Sequence, residues 1–189
     1  SYRTVAVPSG YKPYLLTVKG LKGGHSGMDI VLYRANANKV MARALLPLLR
    51  DSGVKLVSID GGSLRNAIPR EAFAHILVPE DKVAAIESIV EEVASAVRSE
   101  YAATDPDAAV FLEEAGTVPA EYIEESAALA AVRAVSGCPD GVWRMSDAVP
   151  GLVETSNNTA IVKSDGGRIF IKTLMRSSVD TAKEAMAGQ

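Results

Sequence analysis

Apolar residues in the first 114 positions recur with two periods, at every second residue in some stretches and at every third or fourth residue in others. The first period is typical of a half-buried strand and the second of an amphipathic helix. In chain order the pattern predicts a strand at 14–19, a helix at 31–51, strands at 54–59 and 72–78, a helix at 81–102 with Asp81 as its N-cap, and a strand at 109–112. This order is that of a split βαβ, or ferredoxin-like, unit, in which an antiparallel sheet carries two helices on one face.

The rest of the chain echoes the middle of this pattern. It predicts a helix that begins at Ser126 as N-cap and ends at Val135, a hairpin of strands 153–163 and 168–174, and a helix from Val179 onward. The predicted fold class is therefore α/β (α+β), with an antiparallel sheet and helices on one face.

Two halves are expected within this fold. The first, 1–114, is the βαββαβ plan, and the second, 115–189, is an extra helix-hairpin-helix half. The stretch 113–122 lacks periodicity and is interpreted as the linker between them.

Two connections in the first half carry residues that a minimal turn does not need. Residues 23–27 read Gly-Gly-His-Ser-Gly, and three glycines in five positions permit positive φ and close backbone approach. We expect this strand-to-helix loop to project His25, although an ordinary surface turn with an exposed histidine has the same spacing. The connection at 60–70, which contains Asn66, is either a mobile loop or a shaped binding element.

Composition limits the class of partner. Hydrophobic residues make up 48% of the chain and charged residues 23%, and the net charge is −3, which excludes a disordered chain and predicts no nucleic-acid partner. No apolar run approaches the roughly 18 residues of a membrane span, so no membrane partner is expected. The single cysteine, Cys138, fits a reducing, cytoplasmic location. Because the chain begins without methionine and ends within a helical pattern, we expect a segment of a longer protein.

The residue clusters of a complete active site are missing from the sequence. Neither His25 nor His75 belongs to a metal-ligand pair, and His75 lies in a predicted strand, where a half-buried or edge position is the ordinary interpretation. The acidic doublets are typical of solvated surfaces, no Gly-x-Ser-x-Gly elbow occurs, and the glycine turn lacks the lysine of a phosphate loop. We therefore expect this chain alone to bind no cofactor and to be catalytically inactive.

Three polar residues remain at loops or strand ends, namely His25, Asn66 and Arg176. A histidine can donate a hydrogen bond to a developing oxyanion, an asparagine can hold an amide or a carboxylate, and an arginine can bind a carboxylate through two parallel bonds. Together they would suit a substrate clamp. Each also has an ordinary alternative, as a turn histidine, an Asx-turn asparagine and a surface arginine.

Five segments considered together resemble one family. They lie at 19–27, 34–39, 61–72, 153–157 and 176–180. In this order they are similar to segments of the aminoacyl-histidine (Xaa-His) dipeptidases of the M20 metallopeptidase family. The His-x-Asp zinc-ligand motif of that family has no counterpart in this sequence. The resemblance is therefore to the lid, or dimerisation, domain alone.

The resemblance implies a lid that closes over its own catalytic domain, which would hold two zinc or other divalent ions, and that pairs with a second subunit in a homodimer. By position, His25 resembles the catalytic lid histidine that polarises the scissile carbonyl of a dipeptide or steadies its oxyanion. Asn66 and Arg176 resemble lid residues that contact the substrate, with Arg176 suited to its terminal carboxylate. The competing hypothesis is a free-standing, non-catalytic module that binds a small ligand or a protein.

Overall fold

A computed structural model describes residues 1–188, and within them the chain forms eleven strands and four α-helices. The first half contains β1 (Thr4–Ala6), β2 (Tyr11–Lys19), β3 (Gly24–His25), α1 (Ala37–Asp51), β4 (Lys55–Gly61), β5 (Ala67–Ile68), β6 (Ala72–Pro79), α2 (Val83–Glu100) and β7 (Ala109–Glu114). The second half contains β8 (Glu121–Ile123), α3 (Glu125–Gly137), β9 (Gly141–Met145), β10 (Val153–Asp165), β11 (Arg168–Ser177) and α4 (Asp180–Ala187).

The predicted split βαβ unit is confirmed. Its four strands lie in the order β4-β6-β2-β7 and are antiparallel throughout. Leu16, at the centre of β2, lies opposite Ala74 of β6 and Leu112 of β7. Every second residue of β2 and β6 is buried against the helices because strand side chains alternate between the two faces of a sheet. The residues of these two strands that belong to this hydrophobic core are Tyr14, Leu16, Val18, Ala72, Ala74, Ile76 and Val78.

The second half extends the same sheet. Strands β10 and β11 form a hairpin, and β10 joins β4 where Val162 lies opposite Gly61 and Lys163 opposite Asp60. The long sheet is therefore ordered β11-β10-β4-β6-β2-β7, with β9 paired to β10. Helix α3 contributes Ala128, Val132 and Val135 to the core that α1 and α2 share. The predicted mixed fold, with an antiparallel sheet and a helix-hairpin-helix extension, is confirmed.

The helix predicted at 31–51 is divided in the structure. Ile30–Leu32 form a turn of 3₁₀ helix, which ends at Tyr33 because that residue adopts the left-handed conformation with φ of 52°. The α-helix begins only at Ala37, after Asn36, whose side chain accepts a hydrogen bond from the backbone N–H of Asn38.

Two predicted N-caps were wrong. Asp81 lies inside a 3₁₀ turn that precedes α2, and Lys82 occupies the capping position without a side-chain hydrogen bond. Ser126 lies within α3, whose N-cap is Glu124, since the Glu124 carboxylate accepts hydrogen bonds from the N–H groups of Ser126 and Ala127. In both places the capping position is therefore occupied by a residue other than the one with the highest capping preference.

Several short strands were missed because two or three residues carry no measurable period. They are β1, β3, β5 and β8, and β9, which has five residues, was missed as well. The stretch interpreted as a linker, 113–122, contains the end of β7 and the start of β8. His75 lies on a strand, as predicted, but the expected half-buried or edge position was wrong, since this strand is interior, between β4 and β2, and His75 is exposed on the face away from the helices.

Candidate functional site

His25 lies on β3, which pairs with β5 so that His25 is opposite Ala67 and Gly24 is opposite Ile68. Gly24 has a φ of 145°, and a Cβ added there would lie 2.6 Å from a carboxylate oxygen of Asp29. Only glycine fits this close approach with that backbone conformation. The glycines therefore serve the close packing that was predicted, but in a short strand rather than in an irregular strand-to-helix loop.

The His25 imidazole is oriented by the backbone that follows it. Its Nδ1 accepts hydrogen bonds from the N–H groups of Gly27 and Met28, each at 3.2 Å. The His25 N–H itself donates to Asp29 Oδ2 at 2.7 Å, which closes the turn. Because Nδ1 is an acceptor in both contacts, the neutral ring carries its proton on Nε2. The half-buried ring thus presents an N–H donor on the side opposite to the turn.

Asn66 lies in the turn that leads into β5. The turn closes with a hydrogen bond from Ala67 N–H to Leu64 O at 3.2 Å, and the Asn66 side chain is exposed. The Asn66 carbonyl oxygen accepts a hydrogen bond from Ser26 N–H at 2.9 Å. Asn66 and His25 therefore belong to two backbone segments that are hydrogen bonded to each other.

Arg176 reaches the same place from β11, where it pairs with Ser156 of β10. A Cβ added at Gly27 would lie 3.1 Å from His25 Cε1 and 3.6 Å from Arg176 Cζ. The imidazole and the exposed guanidinium thus flank the same glycine, although 151 positions separate them in the chain. The structure therefore brings the side chains of His25 and Arg176 together, and Asn66 is joined to them through its backbone carbonyl.

A run of buried polar residues on β10 was not recognised from the sequence as part of this region. It consists of Glu154, Thr155, Ser156, Asn157, Asn158 and Thr159, each less than 9% exposed. Six consecutive buried polar residues are unusual, because a buried polar group needs a hydrogen-bond partner to offset its desolvation. The signal available in the sequence was an uninterrupted polar run, Glu-Thr-Ser-Asn-Asn-Thr, inside a predicted strand.

Next to this run, Asp140 is held by two donors. Its Oδ1 accepts hydrogen bonds from Asn36 Nδ2 at 2.9 Å and from Thr159 N–H at 2.7 Å. Burial raises the pKa of the Asp140 carboxyl above its ordinary value, and these donors offset part of that effect. Burial likewise lowers the pKa of the neighbouring Lys39 ammonium, which Asp140 opposes. Lys39 Nζ donates to the carbonyl oxygens of Val135, Ser136 and Cys138 and so closes the C-terminal end of α3.

Metal ligation and membrane insertion find no support within residues 1–188. No group of three or more His, Cys, Asp or Glu side chains in that part of the chain could hold a metal ion. None of the helices described there is long and apolar enough to cross a bilayer.

Comparison with known proteins identifies the fold. Residues 16–105 match the family described as the peptidase dimerisation domain of the M20 peptidases. The chain is 39% identical over 179 residues to the cytosol non-specific dipeptidase of Escherichia coli K12, an alignment that covers 95% of this chain and 37% of that protein.

A solved structure agrees with this relationship. The crystal structure of aminoacylhistidine dipeptidase from Vibrio alginolyticus matches with a TM-score of 0.94 at 35% identity, over 99% of this chain and 38% of that one. The chain therefore spans less than two fifths of the length of either relative. Both relatives are dipeptidases, and the resemblance inferred from the five segments is confirmed. Over residues 16–105 the chain belongs to the dimerisation domain family of the M20 peptidases.

Proposed function

We propose that this chain is the lid and dimerisation domain of a cytoplasmic metallo-dipeptidase and that it binds the peptide substrate through His25, Asn66 and Arg176. The observation that carries the proposal is the convergence of the His25 ring and the Arg176 guanidinium at Gly27, beside the Asn66 turn. In this proposal the lid covers its own catalytic domain and pairs with a second copy of the protein. The likeness to two dipeptidases favours it over a free-standing binding module.

His25 supplies a hydrogen-bond donor to the scissile carbonyl. Two backbone N–H groups keep Nδ1 as an acceptor, so Nε2–H is the donor that meets the carbonyl oxygen. Negative charge grows on that oxygen as the peptide carbon becomes tetrahedral, and a donor already in place stabilises it without reorganisation. His25 is therefore a catalytic residue in this proposal, although it does not generate the nucleophile.

Arg176 and Asn66 hold the rest of the dipeptide. A guanidinium presents parallel N–H donors that match the two oxygens of a terminal carboxylate. The exposed Asn66 amide can donate to one substrate oxygen and accept from one substrate N–H. Substrates of the Xaa-His type follow from the likeness to the aminoacylhistidine dipeptidase, whose name states that specificity.

The described residues do not fit a metal centre, because no cluster of three ligands occurs among residues 1–188. The two zinc or other divalent ions expected for this family would therefore belong to the catalytic domain. The 189-residue chain supplied with Zn²⁺ is expected to hydrolyse no dipeptide.

The test is kinetic and uses the longer protein that carries this domain. His25→Ala should lower kcat by about 100-fold or more, the usual loss for one oxyanion donor, while KM and metal content change little. An unchanged kcat would refute the catalytic role of His25.

Arg176→Ala probes the carboxylate clamp in the same protein. It should raise KM for a free dipeptide by about tenfold or more, since a charge-assisted bidentate contact is lost, but should leave hydrolysis of the C-terminal amide nearly unaffected. Arg168→Ala, at the opposite end of β11 and also exposed, is the matched control. Equal effects of the two arginine variants would contradict the assignment.

A further inference from the structure

The side-chain amide of Asn158 connects β10 to the turn that carries Asn66. Its Nδ2 donates to the carbonyl oxygens of Arg65 at 3.2 Å and of Ala67 at 2.8 Å, the residues on either side of Asn66. Asn158 is 1% exposed, so its amide group has little contact with bulk water. One amide group therefore holds the backbone both before and after Asn66.

The same contacts reach His25. Ala67, whose carbonyl Asn158 binds, is the residue opposite His25 in the β3–β5 pair. Ser26, which follows His25, donates its N–H to the Asn66 carbonyl oxygen. A displacement of the Asn66 turn would therefore displace the His25 backbone as well.

The orientation of the Asn158 amide is itself fixed from the other side. Its Oδ1 accepts a hydrogen bond from Asn36 Nδ2 at 3.4 Å, which leaves Nδ2 directed toward the turn. Asn36 is in turn held because its Nδ2 also donates to Asp140 Oδ1 and to the Thr159 carbonyl oxygen. The amide cannot rotate without giving up bonds in this buried network.

Strand β10 also borders the third site residue. Its residue Ser156 pairs with Arg176 of β11, and Asn158 pairs with Leu174 two positions away. The strand that holds the Asn66 turn through a side chain thus holds the Arg176 strand through its backbone.

We propose that Asn158 is a positioning residue that keeps His25 and Asn66 in one arrangement relative to Arg176. It does not touch the substrate and acts through the carbonyl groups of Arg65 and Ala67. The catalytic part of this inference rests on the proposed function of His25, whereas the structural part does not.

Asn157 provides a matched control on the same strand. It is 2% exposed, and its Nδ2 donates to the Pro139 carbonyl oxygen at 2.6 Å, far along the chain from the Asn66 turn. Asn157→Leu and Asn158→Leu therefore remove the same chemical group from adjacent buried positions but release different segments.

The first experiment measures amide hydrogen exchange by NMR in the full-length protein. In Asn158→Leu, the Ser26 N–H should exchange about tenfold faster or more than in Asn157→Leu, because the turn that accepts its hydrogen bond opens locally. Asn158→Asp, which keeps the shape but removes the donor, serves if the leucine variant does not fold. Equal exchange of Ser26 in the variants at 157 and 158 would overturn the proposal.

The second experiment measures dipeptide hydrolysis by the same variants. Asn158→Leu should lower kcat by about tenfold or more with a smaller change in KM and unchanged metal content, because small misplacements of a catalytic group are costly. Asn157→Leu should keep kcat within about twofold while its melting temperature falls by a similar amount, since it does not reach the site.

The two readouts separate the two proposals. Faster Ser26 exchange together with lower kcat supports both the positioning role of Asn158 and the catalytic role of His25. Faster exchange with an unchanged kcat would overturn the proposed function of His25 and leave Asn158 as a purely structural anchor. Lower kcat without faster exchange would overturn the positioning mechanism.

Discussion

Strands β2 and β10 are both interior strands of one sheet, yet they are buried by different chemistry. On β2 the buried positions include Leu16 and Val18, each 0% exposed and in contact with the helices. On β10 the buried positions 154–159 are all polar. Burial of apolar surface stabilises the folded state directly, whereas burial of a polar group yields only a small net gain after desolvation. Similar burial therefore has different consequences in the two strands.

The polar strand uses its side chains to hold loops. Asn157 binds the carbonyl of Pro139, and Asn158 binds the two carbonyls that flank Asn66. The Thr159 backbone carbonyl accepts hydrogen bonds from the side chains of two residues at the start of α1. The difference suggests that the split βαβ unit, which contains β2, specifies the fold and that β10 specifies the arrangement of the site.

The largest expected effect tests the stability side of this comparison. Leu16→Ala should lower the free energy of unfolding by about 2–5 kcal/mol, because it removes buried apolar surface and leaves a cavity between strands and helices. Thr155→Ala, at an equally buried position of β10, should cost only about 1 kcal/mol, since it loses only the hydrogen bonds of one hydroxyl group, to Ser177 at 2.8 Å and to Glu154 at 3.4 Å. Urea unfolding followed by circular dichroism measures both. A larger loss for Thr155→Ala than for Leu16→Ala would remove the basis of the comparison.

The split βαβ unit was also the part that the sequence predicted well. The alternation in β2 and the three- and four-residue spacing in α1 and α2 record which faces are buried, so element order and the split βαβ plan followed from them. The ends of elements were less predictable. Asp81 and Ser126 have good capping side chains, but Lys82 and Glu124 occupy the capping positions in the structure.

The sequence supplied three candidate residues for the site but not their arrangement in space. His25, Asn66 and Arg176 were identified by residue type, loop position and family resemblance. The pairing of β3 with β5 was not, because two-residue strands have no period and their register is set by contacts distant in sequence. Asn158 was missed for a related reason, since its partners lie more than 90 positions away and no local pattern records them.

The junction between the two regions should be sensitive to added volume. Gly62, which follows β4, has φ of 71°, and a Cβ there would lie 1.9 Å from the Ala160 carbonyl oxygen of β10. Gly62→Ala should cost about 3 kcal/mol, because the left-handed conformation and the backbone overlap both oppose it. Gly10→Ala has a similar φ of 81° with no atom within 4 Å and should cost only about 1–2 kcal/mol.

Urea unfolding of the two glycine variants distinguishes overlap from backbone conformation. If both variants lost the same free energy of unfolding, the tight contact between the end of β4 and β10 would make no contribution to stability. The junction between β10 and the split βαβ unit would then depend on other contacts.

The smallest expected effect concerns the charge buried beside the polar strand. Burial raises the pKa of Asp140 above its ordinary value of 3.8, so the folded chain binds this proton more tightly than the unfolded chain. The contribution of Asp140 to stability is therefore greatest below its unfolded pKa and is lost as pH rises through the raised folded pKa. Asp140→Asn removes the charge and retains the Oδ1 acceptor for Asn36 and Thr159. Relative to the unsubstituted chain, its free energy of unfolding should increase as pH rises above 3.8.

A control with the opposite sign is available at the start of α3. Hydrogen bonds from Ser126 lower the pKa of the Glu124 carboxyl, so its contribution to stability is present above its unfolded pKa and is lost as pH falls through the lower folded pKa. Glu124→Gln should therefore become less stable relative to the unsubstituted chain as pH rises over the acid range, whereas Asp140→Asn becomes more stable. Unfolding curves at pH values from acid to neutral measure both trends. If both variants showed the same trend, the donors to Asp140 would outweigh the effect of burial on its pKa, and the charge of Asp140 would then stabilise the polar region.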